Sequence, residues 1–341
     1  LALGNLKCQM LDDRKTAILS AVVQEYIATA QPVGSSHIAS APGVQVSPAT
    51  VRNDMAVLEQ EGFLVQPHTS AGRVPTDKGY RFFVDHLTEP GRLDDSRSAQ
   101  VGDFFSAAHG RLEELLHQTS DLLTRLTNSA SMVLGPAAAA AVVRSVQIVG
   151  LSTTTATAIL VLSNGTVTSE VIDLSDGAVD DEIHRAAAHL DSVLSGRSIA
   201  DVDSAPALGD LRVDGIVTAA LDALRRASSD DQVFVGGAST VAAAFDAVEV
   251  VRDVLHTLEQ QFVVVSLVQN ILDRGMSVAI GVEHGVEPLA ACSVVVAPVV
   301  VDGEHLGSVG VLGPTRMNYP QALATVGLVS DRLGRHLGDA G

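Results

Sequence analysis

Cysteines, aromatic rings, long apolar runs and surplus positive charge are all scarce in this 341-residue chain, and each scarcity removes a class of protein. Two cysteines, Cys8 and Cys292, are too few for a disulfide scaffold and suit a reducing compartment. The longest apolar runs, residues 137–143 and 292–301, fall short of the roughly 18 residues that suggest a bilayer-crossing helix. The first residues lack the basic, apolar and small-residue regions of a signal peptide, so a cytoplasmic chain with no membrane partner is expected. Met10 stands just before the first patterned segment, and residues 1–9 are left out of the fold reading.

A formal charge of −18 excludes a protein that coats nucleic acid by bulk attraction, because neutralising phosphates needs clustered cations. The charge is unevenly spread. Residues 1–87 carry seven Lys and Arg against eight Asp and Glu, and hold all three lysines, Lys7, Lys15 and Lys78. The remaining 15 cations face 32 anions. An acidic body with a near-neutral head suits specific DNA contact, where a few placed cations count for more than total charge.

Catalytic chemistry is equally sparse. The eleven histidines are scattered, with no His-Glu-x-x-His helix and no Cys-x-x-Cys pair, so neither a metal nor a cofactor is expected. Cys292 lies in an apolar run, where a buried inert thiol outweighs an activated nucleophile. The glycine-rich runs 235–239 and 310–314 lack the Gly-Lys-Ser/Thr ending of a phosphate loop and the G-x-G-x-x-G fingerprint. No catalytic residue is nominated, and the chain is not expected to be an enzyme.

What the chain does have is periodicity. Asp12 and Asp13 open a helix whose stripe runs through Ile18, Val22 and Tyr26 before Gln31-Pro32 ends it. Ser35 is placed to cap a short second helix carrying Ile38 and Ala39, which Pro42-Gly43 stops. The third helix has the clearest start: Ser47 at the cap, Pro48 in the first turn and Val46 positioned to staple onto Val51. Val51, Met55 and Leu58 face inward, Ala49, Thr50, Arg52, Asn53 and Gln60 face outward, and Gly62 ends the helix. A strand at 63–65, a turn-rich loop at 67–73, Val74-Pro75 and a helix capped by Thr76 follow, the last burying Tyr80, Phe83, Val84 and Leu87. This pattern predicts a winged helix-turn-helix over residues 11–88.

The outward face of the third helix has the chemistry of base reading. Asn pairs bidentately with adenine, Arg with guanine, and Thr reaches a base edge or a thymine methyl. In helix-turn-helix proteins such contacts come from the early turns of the recognition helix. The nominated DNA-binding residues are therefore Ser35, Ser36, Ser47, Ala49, Thr50, Arg52 and Asn53, with His68, Ser70 and Arg73 from the wing. Thr50, Arg52 and Asn53 are expected to read bases, while Ser47, Ser70 and Arg73 hold the backbone. A plain solvated helix face has the same composition, and the placement after two helices and a turn is what favours DNA.

Pro90-Gly91 marks a linker at 89–98. Beyond it Val101, Phe105, Ala108, Leu112, Leu115, Thr119, Leu122 and Leu126 form a heptad stripe, predicting a linker helix within 89–130. A helix must bury that stripe, against its own domain or against a second subunit. Strands are expected at 146–151, 157–162, 167–174, 277–282, 293–300 and 306–312, with a hairpin turn at 163–165 and helices at 179–194 and 321–337. Strands at both ends of a helix-rich middle predict one α+β domain, residues 131–202 with 261–341, interrupted by an insertion at 203–260.

The stretch SPATVRNDMAVLEQEGFLVQPHTSAGRVPTDKGYRFFVDHL, with DRKTAILSAVVQEYIATAQPVGS before it, resembles the heat-inducible transcription repressor family, HrcA, nearly word for word. VFVGGAS, IGVEHG and LGSVGVLGPTRMNYPQALATV extend the resemblance through the carboxy-terminal half. It implies a winged helix, then a GAF-like domain interrupted by a dimerising insertion, in a homodimer that binds an inverted-repeat operator of double-stranded DNA upstream of chaperone operons. It further implies release on heat stress and modulation by a GroEL-type chaperonin. A small-molecule-sensing GAF-type regulator is the alternative. The resemblance and the aromatic-poor, alanine-rich body together predict thermal loss of the dimer or of packing as the sensing step. Two sites depart from the family: Glu283-His284 stands where Glu-Asn is common, and the alanine run 137–141 replaces a more varied segment. Residues 313–317 are either a domain-contact corner or a loop capping the last helix.

Overall fold

The computed structural model describes residues 11–68, 71–87, 93–108, 111–135, 142–163, 166–174, 177–228, 233–245, 247–275 and 277–339. Ser70, the alanine run 137–141 and the expected hairpin turn at 164–165 lie outside the described residues.

The first helix, α1 (Asp13–Thr29), starts where the Asp12 carboxylate accepts the Lys15 backbone N–H at 2.8 Å, satisfying one of the donors a helix start leaves open. α2 (Ser35–Ile38) is a single turn that begins one residue earlier than expected: Gly34 holds the cap position, and Ser35 is buried in the first turn without a capping bond. α3 (Pro48–Gln60) follows the Ser47 cap, and the ribbon of β1 (Leu64–Val65) and β2 (Val74–Pro75) leads into α4 (Asp77–Asp85), whose Thr76 hydroxyl accepts from Gly79 N–H. Ile18, Val22, Val51, Met55, Leu58 and Phe83 close the head's core. Phe63 meets Phe82 edge-on at 5.4 Å, adding a ring contact the stripe of Tyr80 and Phe83 did not anticipate.

Where one linker helix was expected, the chain forms two, α5 (Asp95–Ala107) and α6 (Leu112–Thr127), with extended backbone at Ala108 ahead of the helix-weakening Gly110. Val101, Phe105, Leu115, Leu122 and Leu126 are buried in the chain's own core, so the heptad stripe packs within the subunit.

The body continues through β3 (Ala130–Leu134), β4 (Val143–Gly150), β5 (Thr155–Leu162), β6 (Val167–Asp173), α7 (Asp180–Leu194) and α8 (Leu211–Ser228). It closes with β7 (Val233–Gly236), α9 (Ala238–Ala242), α10 (Val248–Glu259), α11 (Gln261–Asp273), β8 (Val278–Ile280), β9 (Cys292–Val301), β10 (Glu304–Pro314) and α12 (Tyr319–Asp339). The result is a mixed α+β fold with antiparallel sheets. β7-β3-β10-β9-β8 is one five-stranded sheet and β4-β5-β6 a second, three-stranded one.

This topology corrects the expected boundaries. Of residues 131–202 only β3 joins the sheet of 261–341, paired with β10: β4, β5 and β6 stand apart with α7 and α8 around their own core of Leu160, Leu162, Leu190, Val217 and Leu224. β3 meanwhile pairs with β7, Val133 opposite Phe234, so the separate unit opens after β3 and ends before β7. The expected insertion at 203–260 splits this unit, and α9 and α10 belong with the five-stranded sheet instead. The reason is non-local: neither 130–134 nor 233–236 carries a local feature that names its pairing partner.

The alternation of β9 fixes the layers, because successive side chains point to opposite faces. Val294 and Val296 meet Leu258, Val264 and Val268 of α10 and α11, whereas Val295 and Val299 meet Val326 and Val329 of α12. The same α12 layer continues without a gap into the head's core.

Candidate nucleic-acid interface

α3 is built to hold its outward face still. The Ser47 hydroxyl accepts the Thr50 backbone N–H at 3.2 Å and lies 2.9 Å from the Thr50 hydroxyl, so Thr50 is half-buried and engaged at the helix start. On the inward side Asp54 is buried and receives Arg14 of α1 through Nε at 2.8 Å and Nη2 at 3.3 Å, a two-pronged contact that pins α3 to α1. The Arg14–Asp54 pair leaves no local trace, since an isolated Asp on an amphipathic helix reads as solvent-facing.

Ala49, Arg52 and Asn53 are exposed. Neither Arg52 nor Asn53 has a hydrogen-bond or ion-pair partner among the described residues. Their donors and acceptors are therefore available to an outside surface. Ser36 and Ser47 are exposed on the same head, while Ser35 is buried and cannot reach a duplex without local opening.

The ribbon is tied down from behind. Val33 and Arg73 exchange both backbone hydrogen bonds at 2.9 Å, and a Cβ on Gly72 would collide with the Val33 backbone. Gly72 is thus needed for this close approach inside the head. Arg73 is also committed: its Nε and Nη2 donate to Glu59 Oε2 at 3.0 and 2.8 Å, linking ribbon to α3. His68 is exposed near the tip, and Ser70 lies outside the described residues. Lys78 sits over the same region, with Nζ 4.2 Å from the Phe63 ring centroid and donating to the Glu61 carbonyl at 2.7 Å.

Burial pushes the Cys292 thiol up to about 12, the reverse of an activated nucleophile. Among the described residues no group of His, Cys, Asp and Glu is arranged to hold a metal ion, and no helix is long and apolar enough to cross a membrane.

The chain is 33% identical over 338 residues to a heat-inducible transcription repressor HrcA of Moorella thermoacetica, covering 96% of this chain and 98% of the relative. It is 37% identical over 342 residues to the protein of the same name from Acidothermus cellulolyticus, covering 97% and 100%. A crystal structure described only as that of a hypothetical protein superposes with a TM-score of 0.70 at 24% identity, over 97% of this chain and all of that one, and so supports the fold. The relatives define the class: heat-inducible transcription repressors. The family model for the HrcA protein C-terminal domain matches residues 113–323, and the chain belongs to the HrcA family.

Proposed function

We propose that the head is a winged helix-turn-helix that reads an inverted-repeat operator upstream of chaperone operons, as a cytoplasmic homodimer that lets go on heat stress. The observation that carries this reading is the open face of α3, where Arg52 and Asn53 project unpaired from a helix whose other side is anchored by Val51, Met55 and Leu58. Arg and Asn at the start of such a helix match the bidentate readout of guanine and adenine. Ser47, Ser36 and His68 are disposed to contact phosphate or sugar, which sets register without reading sequence. Arg73 joins them only by leaving Glu59, so its role here is to brace the ribbon.

A two-fold dimer mirrors a palindromic site. The separate β4-β5-β6 unit favours this, since Val149, Leu151, Val167 and Val171 remain exposed on or beside its outer face. The five-stranded body is the proposed GAF-like domain. Its interior between sheet and α10–α11 is filled by Met132, Val294, Val296, Leu258 and Val268, which favours control by temperature and by a GroEL-type chaperonin over a small-molecule pocket.

Selection of binding sites from a randomised duplex library by the purified chain tests the reading. An inverted repeat should emerge; recovery of unrelated sequences contradicts it. Thermal release fails separately if the protein melts far above heat-shock temperatures with its operator affinity unchanged.

A further inference from the structure

Two sequence motifs, 280–285 and 313–320, have so far no role in DNA binding, and both meet the head at one seam. From α4, Arg81 donates through Nε to Glu283 Oε1 at 2.9 Å and through Nη2 to the same carboxylate and to the Val278 carbonyl at 2.8 Å. Glu283 is itself held from the body: its Oε2 accepts the Ile280 N–H at 2.9 Å, and its carbonyl accepts Arg274 Nη1 at 3.0 Å. One turn earlier on α4, the Asp77 carboxylate occupies the space where a side chain at Gly281 would begin, and Gly281 has φ +55. The positive φ favours glycine there, and its bare backbone lets the Asp77 carboxylate approach closely. From the second motif, Tyr319 sets its ring 5.8 Å from that of Tyr80 and anchors its hydroxyl on Ser293 and the Thr315 carbonyl at 2.8 and 2.6 Å.

This seam is not a swinging tether. A forked arginine, the close seating of Asp77 on Gly281 and a shared apolar core fix the head in rotation as well as position. The docked head also leaves Arg52 and Asn53 exposed, so docking does not cover the reading face. In a dimer, a head fixed on its body presents its recognition helix at one distance and one angle from the other copy's.

We infer that Arg81, clamped by Glu283 and the Val278 carbonyl, is a positioning residue that sets which half-site spacing the dimer accepts. This rests on the operator reading above. Arg81 touches no DNA in this account: it acts through the orientation of α4, and hence of α3.

The test uses the full-length protein and the inverted repeat selected from the randomised library, with the distance between half-sites lengthened or shortened a base pair at a time, plus a duplex carrying a single half-site. Arg81→Ala removes the fork. Glu283→Gln keeps an oxygen for the Ile280 N–H while removing the charge, and guards against misfolding of the first variant. Wild type should lose about tenfold in affinity when the spacing is wrong, while both variants stay within about twofold of wild type on the single half-site and show a preference flattened to about threefold or less. Variants that keep the wild-type spacing optimum and steepness overturn the inference. Variants that bind the original repeat more tightly, with the optimum unchanged, also overturn it, because the clamp would then restrain the head from binding. If the variants bind as wild type and wild type shows no preference for any repeat over a single half-site, the operator reading itself fails.

Discussion

Arg52 and His284 sit at opposite extremes of exposure, and each makes a prediction from its own surroundings. Arg52 is exposed and unpaired among the described residues, so its removal leaves the head's packing intact. Arg52→Ala should cost about 1–3 kcal/mol on the selected operator and relax preference at one base pair per half-site, measured by titrating single-position variants of the site. An equal loss on random DNA assigns Arg52 to phosphate instead. His284 is 2% exposed, with Nε2 donating to the Leu289 carbonyl at 3.0 Å and Nδ1 accepting the Val286 N–H at 3.2 Å. Only a neutral ring can do both. Burial lowers its pKa from the ordinary 6.5, partly offset by backbone carbonyls and by Glu283 and Asp77. A base with a depressed folded pKa gives stability that is whole above about pH 6.5 and is lost as pH falls below it. Melting temperature should therefore drop on acidification below that point, and His284→Asn should blunt the drop; parallel pH profiles for the two proteins contradict the assignment.

The elements were legible wherever a start signal coincided with a stripe. Ser47-Pro48 and Thr76 mark α3 and α4 at the residues where the helices begin, because a hydroxyl before an apolar run satisfies the same open N–H groups in any fold. Ser47→Ala should thus destabilise the head by about 1 kcal/mol, visible as a lower chemical-denaturation midpoint, and, as the loss of a backbone contact, weaken binding to operator and random duplexes alike. A loss confined to the operator contradicts the backbone role. Illegible elements were those defined by distant partners. The heptad stripe predicted one helix where two exist, and the commitment of Arg73 to Glu59 could not be seen, since an arginine in a turn-rich loop has no local feature that names a carboxylate fourteen residues away.

At the scale of the whole molecule, the head was readable from sequence while the body's plan was not. Helical capping is local, but the pairing of β3 with β7 spans about a hundred residues and leaves no periodic trace, so the separate β4-β5-β6 unit was divided in the wrong place. Its corrected extent supplies a prediction. Val171 is 66% exposed and lies beside Thr157 and, through it, Val149 on the outer face of the three-stranded sheet. Val171→Asp should leave the monomer folded, since nothing beneath it is disturbed, but shift the mass seen by analytical ultracentrifugation towards a monomer; an unchanged dimer places the two-fold contact elsewhere. The account depends most directly on sequence-specific binding by the open face of α3. A titration of the selected inverted repeat and a scrambled duplex of equal length, at several salt concentrations, tests it. Affinity for the repeat should exceed that for the scrambled duplex by about a thousandfold or more at physiological salt, with scrambled binding fading as salt rises. Equal affinities that fall together with salt would contradict it.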